Sequence, residues 1–297
     1  MSEEKKEYVI EMISDLLKDT KIDEKKRTKG KTKTLKVDNI VFYSWNTHKF
    51  TCADQNENLE ELKEIFKDAD FIAFQEIPAG VGIDRINSFL KILGKEDWDM
   101  VVTAGSGINN HIIDVTKRSN KEVHVIYYKK KNGWEHIKSL NMDKRFDYTP
   151  EIMIFENKQL DSIKDCLFYL TSVHFPPNTK ERRNDLLIHC QDFIPAYITL
   201  KHKDLDEQKL RNNKKIYDII MGDFNKTPDN VNLCGFKDFS NIEIKTSSGL
   251  QSYDHFIGTN NIIEDFSVAR LICSFDPQNK RSDHKIIKLI LQKQSSI

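Results

Sequence analysis

Ile216-Tyr217-Asp218-Ile219-Ile220-Met221-Gly222-Asp223-Phe224-Asn225 is the stretch on which the reading of this chain turns. Isoleucine and tyrosine dominate its first six residues, and so short an apolar run bounded by a glycine reads as a buried strand. The strand is expected to stop at Gly222. Asp223 and Asn225 follow at once, in a setting where Gly and Asn favour a turn. Polar residues at the end of a rigid strand can be held in fine register with one another. The same arrangement recurs along the chain. Asn46 closes the apolar run Asn39-Ile40-Val41-Phe42-Tyr43-Ser44-Trp45. Gln75-Glu76 follow Phe71-Ile72-Ala73-Phe74, and His174 follows a strand-like run from Leu167 to Val173. Asp254 and His255 sit inside Ser252-Tyr253-Asp254-His255-Phe256-Ile257-Gly258, and Ser282-Asp283-His284 precede a last strand from Lys285 to Leu291.

Working outward, Leu59 to Lys67 and Ile83 to Leu93 have helical spacing, while Val123 to Tyr128 and Glu151 to Phe155 read as strands. A longer helix is expected from Lys180 to about Leu200, kinked at Pro195. His202 to Lys215 is almost wholly polar and is expected to be an exposed elaboration. Strands mixed with few helices point to an α/β (α+β) sandwich rather than a strict βαβ alternation. At the N-terminus, Val9, Met12, Ile13, Leu16 and Leu17 give Glu7 to Leu17 the pattern of a short amphipathic helix. A basic run from Lys25 to Lys36 follows it. Residues 1–37 are therefore read as an appended helix and arm, and residues 38–297 as the main domain.

Composition excludes several classes. The 297 residues are 38% hydrophobic and 31% charged, and 46 basic side chains balance 46 acidic ones. Bulk charge therefore gives no argument for a nucleic-acid partner. No apolar run approaches the roughly 18 residues of a membrane span, so no membrane partner is expected. The acidic start MSEEKKEYVIEMISDLL lacks the pattern of a secretory leader. Five scattered cysteines without a Cys-x-x-Cys pair argue against a structural zinc or a redox motif. Together these lead to an expectation of reduced thiols and a cytoplasmic location.

The polar residues at the strand ends form a chemical inventory. They supply carboxylate oxygens for a hard divalent cation, two imidazoles and an amide pair. That is the equipment of metal-assisted phosphoester hydrolysis.

In its order, the set Asn46, Gln75-Glu76, His174, Gly222-Asp223-Phe224-Asn225, Asp254 and Ser282-Asp283-His284 resembles the endonuclease/exonuclease/phosphatase superfamily. The resemblance runs from about Asp38 to Leu291. Within the superfamily the chain looks most like the pancreatic-type deoxyribonucleases. Lys121-Glu122-Val123-His124-Val125-Ile126-Tyr127-Tyr128-Lys129 is similar to their strand bearing a histidine-orienting glutamate. Phe146-Asp147-Tyr148-Thr149-Pro150 and Ser252-Tyr253-Asp254 match two further segments. The resemblance implies a four-layer sandwich, with two packed mixed β-sheets flanked by helices. It implies an Mg²⁺-dependent (or Mn²⁺-dependent) hydrolase with Glu76 as chief metal ligand and Asn46 and Asp283 nearby. Asp223 would orient or deprotonate the attacking water, and Asn225 would donate to a phosphate oxygen. His174 and His284 would flank the scissile phosphate, held by Glu122 and Asp254. Tyr148, Arg118, Arg182 and Arg183 are candidate substrate contacts, with Lys117 beside them.

The expected function is thus a divalent-metal-dependent phosphodiesterase, a DNA endonuclease with nucleic acid as its partner. The N-terminal helix and arm suggest a regulatory protein partner at residues 1–37, as in a restrained toxin or defence effector. The DNA-reading residues depart from the deoxyribonuclease pattern: Ile77-Pro78-Ala79-Gly80 replaces a groove-reading arginine, Asn120 a tyrosine, and Asp147-Tyr148 a basic residue. An alternative is a phosphatase or phosphodiesterase acting on RNA or a non-nucleic phosphoester. A catalytically inactive interaction module is the third reading, and the intact set of acids and histidines argues against it.

Overall fold

The computed structural model describes residues 39–48, 56–78, 81–103, 122–141, 150–175, 193–204, 214–225, 235–239, 246, 253–272 and 284–293. All lie in the compact unit Val37–Ile297. The readings made for residues 1–37 and for Lys117, Arg118, Asn120, Asp147, Tyr148, Arg182, Arg183 and Asp283 fall outside the described residues.

The core is two six-stranded mixed sheets. The first takes β1 (Asn39–Asn46), β2 (Phe71–Pro78), β3 (Asp99–Val102), β4 (Glu122–Tyr128), β11 (Phe266–Ile272) and β12 (Ile287–Lys293), in the order β11-β12-β1-β2-β4-β3. The second takes β5 (Trp134–Asn141), β6 (Glu151–Asn157), β7 (Cys166–His174), β8 (Lys215–Asp223), β9 (Phe236–Asp238) and β10 (Asp254–Thr259), in the order β5-β6-β7-β8-β10-β9. Each sheet has one parallel pair at its centre, β1 with β2 and β7 with β8, and antiparallel neighbours elsewhere.

Alternation along these strands fills both faces. Ile40, Phe42, Phe71 and Ala73 meet Met153, Phe155, Phe168, Leu170, Ile219 and Met221 between the sheets. The opposite face of the first sheet, with Tyr43, Trp45, Phe74 and Tyr127, packs on α1 (Asn56–Ile65) and α2 (Val81–Leu93) through Leu59, Leu62, Ile86 and Phe89. The outer face of the second sheet, with Ile152, Ile154, Tyr169 and Ile220, carries helix α3 (193–204) through Phe193, Ile194 and Tyr197. A short α4 (Asn261–Asp265) links β10 to β11. The result is the four-layer sandwich.

One expectation needs correction, and a second has a single exception. β8 does not stop at Gly222 but runs to Asp223, because Gly222 at φ 137° still pairs with His255 and Val173. A Cβ there would lie 2.0 Å from Val173 O, so only glycine lets the two strands approach this closely. Within the polar stretch 202–215, Asp204 is buried: it accepts from Tyr169 Oη at 3.1 Å and pairs with Lys138. Asp204 is the exception among the described residues of this stretch: His202, Lys203 and Lys215 are exposed, and residues 205–213 lie outside the described set. Helix 193–204 contains Pro195 near its described start, and residues 180–192 are outside the described set.

Candidate active site

The two central parallel pairs explain where the site forms. Their strands all end on the same side, with Asn46 in register with Gln75 and His174 in register with Asp223. Crevices at the carboxyl ends of parallel strands are the usual ligand sites of such sheets. The sheets are bridged here by side chains. Asn46 Nδ2 on the first sheet donates to Glu76 Oε1 at 2.8 Å and to Asp223 Oδ2 on the second at 3.0 Å. Gln75 Nε2 donates to Ser44 Oγ at 3.1 Å and across the sheets to Ser172 Oγ at 2.9 Å.

Glu76 owes its position to a break in the ladder. The β2–β4 register shifts between Phe74 and Ile77, and Glu76 adopts φ 56°. A bulge re-aims a side chain at the cost of local pairing. The three non-glycine residues with positive φ among the described residues are His48, Glu76 and Asn225, and all three lie at this site. Such strain gathers where function over-determines the backbone.

Two histidines face each other across Asp223. His174 Nδ1 donates to Glu122 Oε2 at 2.9 Å, and His284 Nδ1 donates to Asp254 Oδ2 at 2.9 Å. A carboxylate on Nδ1 fixes the tautomer and turns Nε2 toward Asp223. His174 Nε2 lies 3.3 Å from Glu76 Oε1 and 3.9 Å from Asp223 Oδ2; His284 Nε2 lies 3.5 Å from the same Asp223 oxygen. Asp223 is therefore the common centre. Its Oδ1 also accepts the Asn225 amide N–H at 2.7 Å.

The electrostatics follow from burial and charge. Burial, and then the neighbouring Asp254, push the Asp223 carboxyl up to about 6, while His284 and His174 pull the other way. Burial alone would depress His174. The bond to Glu122 and the charges of Asp223 and Glu76 overcome it and carry the ring above the usual histidine value. A carboxyl near neutrality beside an imidazole biased toward the cation, that of His174, is a workable base and acid pairing.

The donor set fits a hard divalent cation. Atoms of Glu76, His174 and Asp223 lie within 4.8 Å of one another, as do those of Asp223, Asp254 and His284. The carboxylates of Glu76, Glu122, Asp223 and Asp254 outnumber the two imidazoles, so negative charge remains in excess even with both rings protonated. Glu76, a partly exposed carboxylate, could hold such a cation, since small hard divalent ions need few protein ligands. Asn46 presents its amide nitrogen to the carboxylates, with its oxygen taken by His48 N–H at 3.0 Å. In this arrangement it aligns Glu76 with Asp223. Asn225 Nδ2 is likewise engaged, donating to Phe175 O at 2.5 Å and Asp223 Oδ2 at 3.2 Å.

The structure thus brings together Asn46, Glu76, Glu122, His174, Asp223, Asn225, Asp254 and His284. Sequence reasoning missed the residues that brace them. Thr246 Oγ1 accepts from Tyr253 and Asp254 N–H, and its carbonyl accepts from Lys285 N–H, so it clips the Asp254 segment to the His284 segment. Trp45 Nε1 donates to His284 O at 3.2 Å. Neither carries a local signal, because both act through backbone atoms distant in sequence.

Comparison with known proteins supports this fold. No protein-family profile matches the chain, and no curated protein does. Solved structures do. The human Nocturnin catalytic domain with bound sulfate has a TM-score of 0.58 at 14% identity, covering 86% of this chain and 95% of that one. An endonuclease/exonuclease/phosphatase family protein from Bacteroides thetaiotaomicron has 0.54 at 12% identity, covering 86% and 96%. TDP2 from D. rerio, complexed with a single-strand DNA product, has 0.54 at 10% identity, covering 85% and 98%. The chain has the endonuclease/exonuclease/phosphatase fold.

Proposed function

We propose that this protein is a divalent-metal-dependent phosphodiesterase acting on nucleic acid, and more narrowly a DNA endonuclease. The observation that carries the reading is the pair of carboxylate-backed histidines converging on one buried aspartate, with Glu76 beside them. In this reading Asp223 takes the proton of a water attacking the phosphorus in line with the leaving oxygen. The two Nε2–H groups donate to the phosphate oxygens and to the leaving oxygen as charge develops there. A divalent cation held at Glu76 would supply Lewis-acid stabilisation of the phosphate. The single-strand DNA product bound by one structural neighbour supports nucleic acid as the substrate class.

The experiment is incubation of the purified protein with supercoiled plasmid, with and without Mg²⁺ or Mn²⁺, beside Glu76→Gln. The expected result is metal-dependent nicking that the variant loses. A folded, metal-binding protein that leaves plasmid intact would reject the DNA endonuclease reading and move the substrate to RNA or another phosphoester.

A further inference from the structure

The inward-facing side chains of β11 run Phe266, Val268, Arg270. The first two belong to the apolar layer between the sheets, and the third is a guanidinium where the pattern calls for an apolar residue. Arg270 stands on the edge of the first sheet, opposite Leu289 of β12. Its side chain crosses to the second sheet, where Nη2 donates to the backbone carbonyl of Asp254 at 2.8 Å. Its Nε and Nη1 are buried and make no hydrogen bond. A half-buried guanidinium with two buried, unused donors is costly to keep in the fold. The charges facing it are Asp238 and Asp254, and they support its protonated form against burial. Asp238 is itself bonded to the buried His255, on the strand residue next to Asp254.

Asp254 is the residue through which this contact reaches the cleft. Its carboxylate holds His284, and its main chain pairs with Asp223 across β8 and β10. Thr246 secures the N–H of Asp254, and Arg270 secures its carbonyl. The peptide planes on both sides of the Asp254 Cα are thereby fixed by side chains from elsewhere in the chain.

We propose that Arg270 is a positioning residue for the reaction, one that braces Asp254 from the opposite sheet and through it sets the orientation of His284. The inference rests on the phosphodiesterase reading above. It predicts a defect in turnover with little change in substrate binding, because Arg270 bonds the main-chain carbonyl of Asp254 and not the carboxylates and imidazoles that converge on Asp223. Only one of its N–H groups is used, so a lysine should serve in its place.

The test compares Arg270→Met, Arg270→Lys and Asp254→Asn, singly and with Met and Asn combined. It measures metal-dependent cleavage and the low-field ring N–H proton that His284 shares with Asp254, assigned by its loss in His284→Gln. Arg270→Met is expected to lower kcat by about tenfold to a hundredfold with KM nearly unchanged. Arg270→Lys should recover most of that loss. The Met penalty should vanish in the Asp254→Asn background, since groups acting as a unit are not additive. The ring proton should broaden or move in Arg270→Met and return in Arg270→Lys. Should Arg270→Met fail to fold, Arg270→Gln replaces it, with a smaller loss of kcat expected. A folded Met or Gln variant with parental kcat and an unmoved ring proton overturns the proposal. So does a full additive penalty on Asp254→Asn, or a Lys variant as impaired as Met. A parent protein inert on every phosphodiester tested removes the phosphodiesterase reading instead, and the ring-proton comparison then decides the brace by itself.

Discussion

His174 and His284 are near mirror images in their surroundings: each gives its Nδ1 proton to a carboxylate and turns Nε2 toward Asp223. Their consequences on substitution should therefore be alike. Replacing either ring by alanine removes a donor to the phosphate and leaves a carboxylate without its partner. General acid–base contributions run to roughly 10²–10⁴-fold, and charge stabilisation adds to that. Both His174→Ala and His284→Ala are expected to lose at least about a hundredfold in kcat while retaining cation binding. Steady-state kinetics beside a calorimetric Mn²⁺ titration would check this, and a loss of tenfold or less in either variant would show that the ring does not touch the reacting phosphate. At this scale the sequence was legible wherever a reactive side chain followed an apolar run. It was silent on Thr246, Trp45 and Arg270, whose roles run through backbone carbonyls and amides that no side-chain pattern encodes.

Among the elements, the four strands that sequence reasoning did not find are β3, β5, β9 and β11. These are the four sheet edges. Central strands are buried on both faces and read as continuous apolar runs, as in Phe71–Phe74 and Leu167–Val173. Edge strands are shorter or carry polar residues that discourage pairing with another chain, as in Trp-Glu-His-Ile-Lys-Ser-Leu-Asn of β5. The central pair β7–β8 places His174 opposite Asp223, and Gly222 permits it. Gly222→Ala would put a Cβ 2.0 Å from Val173 O at φ 137°, where the neighbour is backbone and cannot rotate away. The variant should lose several kcal/mol of stability, on the order of 3 or more, from strain and overpacking together. Gly235→Ala is the matched control: its φ is 89° but nothing lies within 4 Å of the new Cβ, so backbone strain alone of about 1 kcal/mol is expected. Urea unfolding of the two variants separates the effects. Equal losses would mean that close approach of β7 and β8 is not what requires glycine at 222.

At the largest scale the described residues show, the two sheets share an apolar interface and, beneath the candidate site, a polar one. There Gln75 bridges Ser44 and Ser172, and His124 lies buried with Nδ1 donating to Ser172 O at 3.0 Å. This layer keeps the two halves of the site in register, and it makes global stability depend on pH. Burial, and then the charge of His174, hold His124 down to about 4, against an ordinary value of 6.5. A base whose folded pKa is depressed is protonated more readily in the unfolded chain. Its contribution is therefore fully present above 6.5 and is lost as pH falls from there toward 4. Between pH 7 and pH 5 that loss should be about 2 kcal/mol. Asp223 acts in the opposite sense over part of this range, because a carboxyl raised to about 6 favours the folded state increasingly as pH falls from 6 toward 3.8. The parent's own profile is thus a sum of opposed contributions, and His124 shows only in a difference. In His124→Gln the amide can still donate to Ser172 O but does not titrate. The gap in unfolding free energy between parent and variant, measured in urea with chelator present, should shift by about 2 kcal/mol in the variant's favour between pH 7 and pH 5. Parallel profiles for the two proteins would show that His124 is protonated alike in the folded and unfolded chains, and that the polar layer under the cleft admits charge.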